Sequence, residues 1–299
     1  MTAMAEAQLH VGEVPGSIQL SQEHVCLSAG AFTALQLTIP DDFRRPGARR
    51  QLLLSDRDSH AIVTVAAVLP DGDLAEAAIG MGDPDRLFAG AAPSATVSAT
   101  TDVFAAGQLV ETVTQSGDVA VIAPHGSAIE RHTDEQVAML GADPRLKIDQ
   151  WVCVGRGVDQ FRRLHITSDD ISEHSFPGLC ALLERTHRSA VSFHGFSRAI
   201  KPGTTIALDV IVGGQFDLDR RYDLADRIRH AVPAEAEFEV FVTTSCGDPF
   251  SGLSPRNVVN RLAGSGGIQI EQSARLRQFP YAPRLVAGAV AEALLVEGS

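Results

Sequence analysis

Residues 118–140 read DVAVIAPHGSAIERHTDEQVAML, and this stretch decides the class of fold. The apolar run over 118–123 has the composition of a buried strand, and TDEQVAML over 133–140 predicts a helix. Thr133 and Gln136 are spaced as a capping box at the start of that helix. A strand that is apolar throughout is typical of a sheet covered on both faces. The stretch therefore predicts a strand, a polar loop and a helix of an α/β sheet.

The same alternation of strands and helices continues through the second part of the chain. The strand candidates are 117–123, 150–155, 163–168, 189–195, 205–214, 237–244 and 267–273. The helix candidates are 133–140, 176–187, 217–231, 254–263 and 282–297. This order predicts an α/β domain over 104–299, with an open, mostly parallel or mixed sheet and flanking helices.

The first part of the chain has a different pattern, with short β-like runs separated by turn-forming residues. The strand candidates are 17–21, 24–28, 34–40, 50–55, 60–69 and 95–101, and one short helix is predicted over 73–81. We expect a small β-rich domain, such as a compact barrel, over 1–103. It would either restrict access to a cleft of the second domain or serve as a packing or oligomerisation module.

Composition excludes several classes of protein. The 299 residues are 44% apolar, enough for a sizeable core, and the formal charge of −12 argues against a nucleic acid or an anionic membrane as partner. The four cysteines form no CxxC pair, which favours reduced thiols over a disulfide framework or a thiolate zinc site. The N-terminal stretch lacks signal-peptide features, and no apolar run approaches the roughly 20 residues that span a bilayer. These features predict a soluble, cytoplasmic protein.

Polar residues stand at the ends of three predicted strands, where open α/β sheets bind their ligands. These residues are His125, His194 and Glu271. His125 and Glu130 are five residues apart, and on a helix their side chains would diverge by roughly 140°. They converge only from an irregular loop, which Gly126 permits. Two histidines and a carboxylate are a ligand set of catalytic zinc sites, and imidazoles favour zinc or a neighbouring transition metal over magnesium or calcium. The alternative is a loop with ordinary polar side chains.

Two further residues are candidates for catalysis and substrate binding. Alternation along 267–273 places Ile268 and Ile270 on one face of a strand, and Gln269 and Glu271 on the other. A carboxylate beside a metal is suited to take a proton from metal-activated water and pass it to a leaving amine. Arg261 is a candidate to hold a substrate carboxylate or to stabilise an oxyanion. A structural ion pair for Glu271 and a surface position for Arg261 are the alternatives.

Several motifs together resemble one known family. IAPHGSAIERHTDEQ, HITSDDISEHSFPGL, SFHG, VIVGG and NVVNRLAGSGGIQIEQSARLR occur in the order found in the phage-type poly-γ-glutamate hydrolases, over roughly 104–299. These are zinc amidohydrolases similar in fold to zinc carboxypeptidases. The resemblance implies that His125, Glu130 and His194 bind zinc and that Glu271 is the general base and acid.

The resemblance extends to a pair of residues, and the chain also departs from the family in places. Asn260 and Arg261 resemble the Asn-Arg substrate clamp of carboxypeptidases, although here the pair follows the last metal histidine and there it precedes it. Ser127 stands where the family pattern leads us to expect a glycine, and the segment 1–103 is additional to the short phage-type enzymes.

The sequence thus predicts a zinc-dependent amidohydrolase or metallopeptidase. Its substrate would be a small molecule or a peptide-like chain that carries carboxylates, cleaved at a γ-glutamyl or peptide-type bond. One alternative is a small-molecule amidase or deacylase of specialised metabolism. Another is a catalytically inactive, zinc-stabilised binding module, against which Glu271 argues because purely structural zinc sites close the fourth position with a protein ligand.

Overall fold

The computed structural model describes residues 5–16, 18–37, 50–57, 59–70, 73–75, 78–83, 85, 87 and 96–297. The chain divides into two compact units. The first consists of Met1–Val110 with Arg156–Phe176, and the second of Glu111–Gly155 with Pro177–Ser299. The division predicted from sequence, 1–103 and 104–299, does not foresee this return of the chain to the first unit and stays a prediction.

The first unit is built on a closed barrel of six strands. Its strands are β1 (Glu6–Gly12), β2 (His24–Ser28), β3 (Gln51–Asp56), β4 (Ser59–Leu69), β5 (Ala78–Met81) and β6 (Thr96–Thr100). Their order around the barrel is β1-β5-β2-β4-β3-β6, and apolar side chains such as Leu9, Leu27 and Leu54 fill the core. Helix α1 (Ala29–Ala34) follows β2 and starts at Ser28, whose hydroxyl accepts a hydrogen bond from the Ala31 N–H at 3.1 Å. The predicted β-rich fold is confirmed.

Four of the six strands predicted in this part of the chain are present, and the predicted helix is wrong. The strands expected at 24–28, 50–55, 60–69 and 95–101 correspond to β2, β3, β4 and β6. The helix predicted over 73–81 is wrong, since Ala78–Met81 is a buried strand paired with β1 and β2. A short apolar run fits either element, and here the pairing partners decide. Residues 18–21 and 34–37 form no strand, and residues 17 and 38–40 lie outside the described residues.

Polar side chains of the barrel hold the returning segment Arg156–Phe176. The Glu23 carboxylate accepts hydrogen bonds from the Thr167 N–H at 2.7 Å and its hydroxyl at 3.0 Å, and it pairs with His165. His24 lies 2.7 Å from the Asp170 carboxylate. These contacts come from the start of β2 and the residue before it.

Gln51 adds a buried contact from β3 to the same segment. Its side chain donates to the Asp170 carbonyl at 2.7 Å and accepts from the Ser172 N–H at 3.2 Å. Its backbone N–H donates to the Ser175 hydroxyl at 3.1 Å. The segment is therefore an integral part of the first unit. It contains helix α3 (Gln160–Leu164) and no strand, so the strand predicted over 163–168 is wrong.

The second unit is built on a seven-stranded sheet. Its strands are β7 (Leu109–Thr114), β8 (Val119–Gly126), β9 (Ile148–Gly155), β10 (Ser189–Phe196), β11 (Val210–Gly213), β12 (Val240–Val242) and β13 (Ile268–Ser273). The order is β12-β11-β13-β10-β8-β9-β7. β13, β10, β8 and β9 run parallel, and β11 is antiparallel to β13. The predicted mixed α/β sheet is confirmed.

The helices of this unit are α2 (Thr133–Gly141), α4 (Pro177–Leu183), α5 (Leu218–Ala231), α6 (Val258–Leu262), α7 (Ala274–Gln278) and α8 (Ala282–Glu297). Side chains of α2, α5 and α8 pack against the apolar face of the sheet, which includes Val121, Val191, Ile268 and Ile270. Gln269 and Glu271 alternate with these isoleucines and face the other side of the sheet, as predicted. Among the described residues, no helix is both long and apolar enough to cross a membrane.

Candidate metal and catalytic site

A tight turn after β8 brings His125 and Glu130 together. His125 is the penultimate residue of β8, and its carbonyl accepts a hydrogen bond from the Glu130 N–H at 2.8 Å. The Thr133 hydroxyl donates to the Glu130 carbonyl at 2.9 Å. The predicted capping box is therefore wrong, because Thr133 is the first helical residue and its hydroxyl fixes the turn rather than the helix N–H groups. Gln136 instead exchanges hydrogen bonds with Gln272 at 3.0 and 2.7 Å.

The side chains of His125 and His194 both approach one carboxylate oxygen of Glu130. Nδ1 of His125 lies 3.1 Å from Oε2 of Glu130, and Nδ1 of His194 lies 3.4 Å from the same oxygen. The two imidazole rings are 5.2 Å apart between centroids. The Gly195 N–H donates to this oxygen at 3.0 Å and so fixes the carboxylate. All three side chains are buried, with at most 3% of their surface exposed.

This arrangement fits the donor set of a zinc ion. Two ligand atoms at zinc-ligand distances of about 2.0–2.1 Å are about 3.4 Å apart in a tetrahedral site. The two nitrogen–oxygen distances, 3.1 and 3.4 Å, match that spacing. A carboxylate removed from water is also costly unless a cation or a set of hydrogen bonds compensates its charge. Imidazole nitrogens with one carboxylate oxygen select zinc or a neighbouring transition metal.

Glu271 lies beside His194 on the neighbouring strand of the sheet. The two residues are paired in the parallel ladder between β10 and β13, so their side chains project from the same face. Gln269 donates from Nε2 to Glu271 Oε1 at 3.0 Å, and Asn257 donates from Nδ2 to Gln269 Oε1 at 2.7 Å. This chain of hydrogen bonds orients the carboxylate. The sequence reasoning missed the roles of Asn257 and Gln269, although the alternation that placed Gln269 beside Glu271 was the available signal.

The Asn260 side chain is held by backbone groups, one of them just before the start of β13. The Asn260 amide donates to the carbonyls of Gly252 at 2.6 Å and Ser254 at 2.8 Å. Its oxygen accepts from two backbone N–H groups at 3.0 and 3.1 Å, one of them that of Gly267, just before β13 begins. These four bonds use the full capacity of the amide.

Arg261 is half-buried on α6. Two residues later, Ala263 pairs with His187, before the start of β10. The backbone of Asn260 and Arg261 therefore lies toward the amino ends of β10 and β13. His194 and Glu271 lie toward the carboxyl ends of the same strands. The predicted substrate role of Asn260 and Arg261 stays a prediction.

The fold and the donor set together define a class: a mixed α/β protein with histidine and carboxylate donors where parallel strands end. The family described as poly-gamma-glutamate hydrolase matches residues 106–284, more than half of the chain. The chain belongs to this family, and the family resemblance inferred from sequence is confirmed. Membership makes the protein an enzyme of the hydrolase class.

Several solved structures are similar to this chain. The structure of bacteriophage poly-gamma-glutamate hydrolase is 22% identical, with a TM-score of 0.50, covering 64% of this chain and 90% of that chain. A zinc-free form of YndL is also 22% identical, with a TM-score of 0.48 and the same coverage. The apo cell shape determinant protein Csd4 of Helicobacter pylori is 12% identical, with a TM-score of 0.39, covering 63% of this chain and 54% of that chain. No curated protein matches the chain by sequence.

Proposed function

We propose that this protein hydrolyses amide bonds of the γ-glutamyl or peptide type with a zinc ion held by His125, Glu130 and His194. The observation that carries the proposal is the convergence of two buried imidazole nitrogens on one Glu130 oxygen, at 3.1 and 3.4 Å. Membership of the poly-gamma-glutamate hydrolase family supports the hydrolytic reaction and the kind of bond.

The residues of the chain divide the work of such a reaction. Zinc bound at this site would polarise the substrate carbonyl and lower the pKa of a water molecule to about 7. Glu271 takes the proton of the attacking water and delivers it to the leaving amine. Gln269 orients the Glu271 carboxylate through a 3.0 Å hydrogen bond. The Gly195 N–H orients the Glu130 carboxylate through another hydrogen bond of 3.0 Å. Burial of the site keeps bulk water from weakening these interactions.

A panel of variants tests the proposal. Wild-type protein is expected to contain one zinc per chain by elemental analysis, and His125→Ala and His194→Ala are expected to lose it. Glu271→Gln should keep the metal and bind substrate normally, while kcat falls by about 10²–10⁴, the usual contribution of general acid-base catalysis. Full zinc occupancy in both histidine variants would contradict the metal site. Wild-type turnover in Glu271→Gln would contradict the role of Glu271.

Two matched controls separate these effects from general damage. His132 lies in the same loop and Glu135 on α2, and their side chains pair at 3.3 Å. Glu135 is exposed and His132 is partly exposed. His132→Asn and Glu135→Gln should retain both zinc and turnover. Assays on γ-glutamyl polymers, short peptides and N-acyl amino acids then separate a polymer or peptide hydrolase from a small-molecule amidase. Zinc binding without turnover of any amide would support the binding-module alternative instead.

A further inference from the structure

Arg277, on α7, reaches three backbone segments of the candidate site. Its Nε donates to the Gln272 carbonyl at 3.2 Å, its Nη1 to the Arg131 carbonyl at 3.3 Å and its Nη2 to the Phe196 carbonyl at 3.4 Å. Each acceptor follows a site residue closely in the chain. Gln272 comes directly after Glu271, Arg131 directly after Glu130, and Phe196 two residues after His194. One guanidinium thus ties together the segments that carry two carboxylates and a histidine.

Gly195 provides the space that this guanidinium occupies. A Cβ added at Gly195 would lie 2.4 Å from both Cζ and Nε of Arg277, well inside contact distance. The same glycine donates its N–H to Glu130. A glycine between His194 and Phe196 therefore allows the backbone, the Glu130 carboxylate and the Arg277 guanidinium to meet at one place.

The charge of Arg277 suits this position. Burial lowers the pKa of its guanidinium, and the carboxylates of Glu130 and Glu271 act in the opposite direction. An arginine keeps its charge under such conditions because its reference pKa lies far above neutral pH. It also presents a planar set of five N–H donors, which can serve three carbonyls at once. A lysine ammonium on a flexible stem cannot reproduce that geometry.

We propose that Arg277 is a positioning residue that sets the relative placement of Glu130, His194 and Glu271 through their neighbouring carbonyls, so that the zinc site is formed before the metal binds. This inference rests on the proposed metal site. Groups that orient metal ligands typically contribute a factor of 10–100 to metal affinity when they are changed. The carbonyls of Gln272, Arg131 and Phe196 make Arg277 such a group for three segments simultaneously.

The test compares Arg277→Met with Arg275→Met in the full-length protein. Arg275 lies on the same short helix, but it pairs with Asp209 at 2.6 Å and stacks over Phe238 at 4.8 Å. Zinc affinity is measured by competition with a chelator, and the melting temperature is measured on the metal-free proteins. Arg277→Met should bind zinc about 10–100 times more weakly than wild type. Arg275→Met and Arg277→Met should lower the melting temperature of the metal-free protein by similar amounts. Arg275→Met should leave zinc affinity unchanged.

A second variant keeps the arginine and displaces it. Gly195→Ala places a methyl group where the guanidinium lies, and the guanidinium is the flexible partner that must move. The zinc affinity of Gly195→Ala should also fall. The double variant Gly195→Ala/Arg277→Met should bind zinc only slightly more weakly than Arg277→Met, because both changes remove the same contacts. Wild-type zinc affinity in both single variants would overturn the role of Arg277. Failure of the wild type itself to bind zinc would instead contradict the proposed metal site.

Discussion

Ser127 carries a backbone conformation that a glycine adopts more easily. Its φ is 63°, in the left-handed region, where residues with a side chain lose roughly 1–2 kcal/mol. The turn requires this conformation, because the Ser127 N–H donates to the Asp134 carboxylate at 3.0 Å directly after His125 and Gly126. The glycine expected from the family pattern at this position thus has a conformational reason, and the serine is tolerated at a cost in stability.

We expect Ser127→Gly to raise the free energy of unfolding by up to about 1 kcal/mol, because glycine removes the left-handed strain. The larger entropy of the unfolded glycine chain offsets part of this gain. Urea denaturation measures the change. Ser127→Ala is the control, since it keeps a Cβ at the same φ and should be no more stable than wild type. Equal stability of the glycine and alanine variants would contradict the strain argument.

At the scale of single residues, the sequence predicts part of the site. His125, His194 and Glu271 were found because polar residues at the ends of apolar strands are visible in one dimension. The structure brings these and Glu130 together. Arg277 was missed because its partners are backbone carbonyls, which every residue has and which leave no sequence signal. The substrate role of Arg261 stays a prediction, because a sequence motif does not specify where the guanidinium at the end of a long side chain lies.

At the scale of elements, Asp149 joins the starts of several segments of the second unit. It is fully buried in β9, and its carboxylate accepts hydrogen bonds from the N–H groups of Ser116 at 2.7 Å and Gly117 at 2.9 Å. It also pairs with Arg185 and lies 3.0 Å from Nε2 of the buried His187. Burial alone would raise the pKa of this carboxyl, but the hydrogen bonds from Gly117, His187, Ser116 and Arg185 hold it below its ordinary value.

A lowered pKa in the folded state means that ionised Asp149 stabilises the fold above the unfolded-state pKa of about 3.9. This contribution is lost as the pH falls below about 4 and through the folded-state pKa. Asp149→Asn should therefore lower the free energy of unfolding at pH 7 by about 3–5 kcal/mol, the usual result of breaking a buried pair. The difference from wild type should shrink as the pH falls below 4.

Denaturant titrations at several pH values measure this dependence. Asp143→Asn is the control, because Asp143 pairs with Arg145 at the surface at 2.7 Å, and it should change stability little. A difference between wild type and Asp149→Asn that stays constant from pH 7 to pH 3 would contradict the ionisation argument.

Elements were predicted well where their pattern is strong. The helix predicted over 282–297 coincides with α8, and 217–231 differs from α5 by one residue. Both are long enough for helical periodicity to be clear. The segment 163–168 was predicted as a strand, but in the structure its polar groups bond to Glu23 rather than to a neighbouring strand.

At the scale of the whole molecule, the first unit depends on residues from two distant parts of the chain. Glu23→Ala removes the acceptor for the Thr167 N–H and hydroxyl. We expect amide hydrogen exchange at 165–172 to accelerate by about tenfold, because the local opening free energy loses about 1–2 kcal/mol. Glu6→Ala is the control, since the Glu6 carboxylate accepts a hydrogen bond from the Ser98 hydroxyl at 2.6 Å at the barrel surface. This variant should leave that exchange unchanged. Unaltered exchange in Glu23→Ala would show that the segment is held by other contacts.

These contacts also bear on the predicted gating by the N-terminal domain. Deletion of 1–103 would remove Glu23, His24 and Gln51, the partners of 165–172. A change of activity in the truncated protein would therefore combine two effects, an altered access to the cleft and an unsupported segment. Point substitutions on the barrel separate the two effects, and the gating role itself stays a prediction.

The return of the chain to its first unit has a consequence during synthesis. The last barrel strand ends at Thr100, yet the unit is complete only once Phe176 has been made. At roughly 5–20 residues per second, the ribosome needs several seconds to supply the missing piece. During that interval the partners of Glu23, His24 and Gln51 in the segment 165–172 have not yet been synthesised. Strands β8 and β9 of the other unit are made before that segment. The two units of this enzyme must therefore mature as interleaved parts of one nascent chain rather than one after the other.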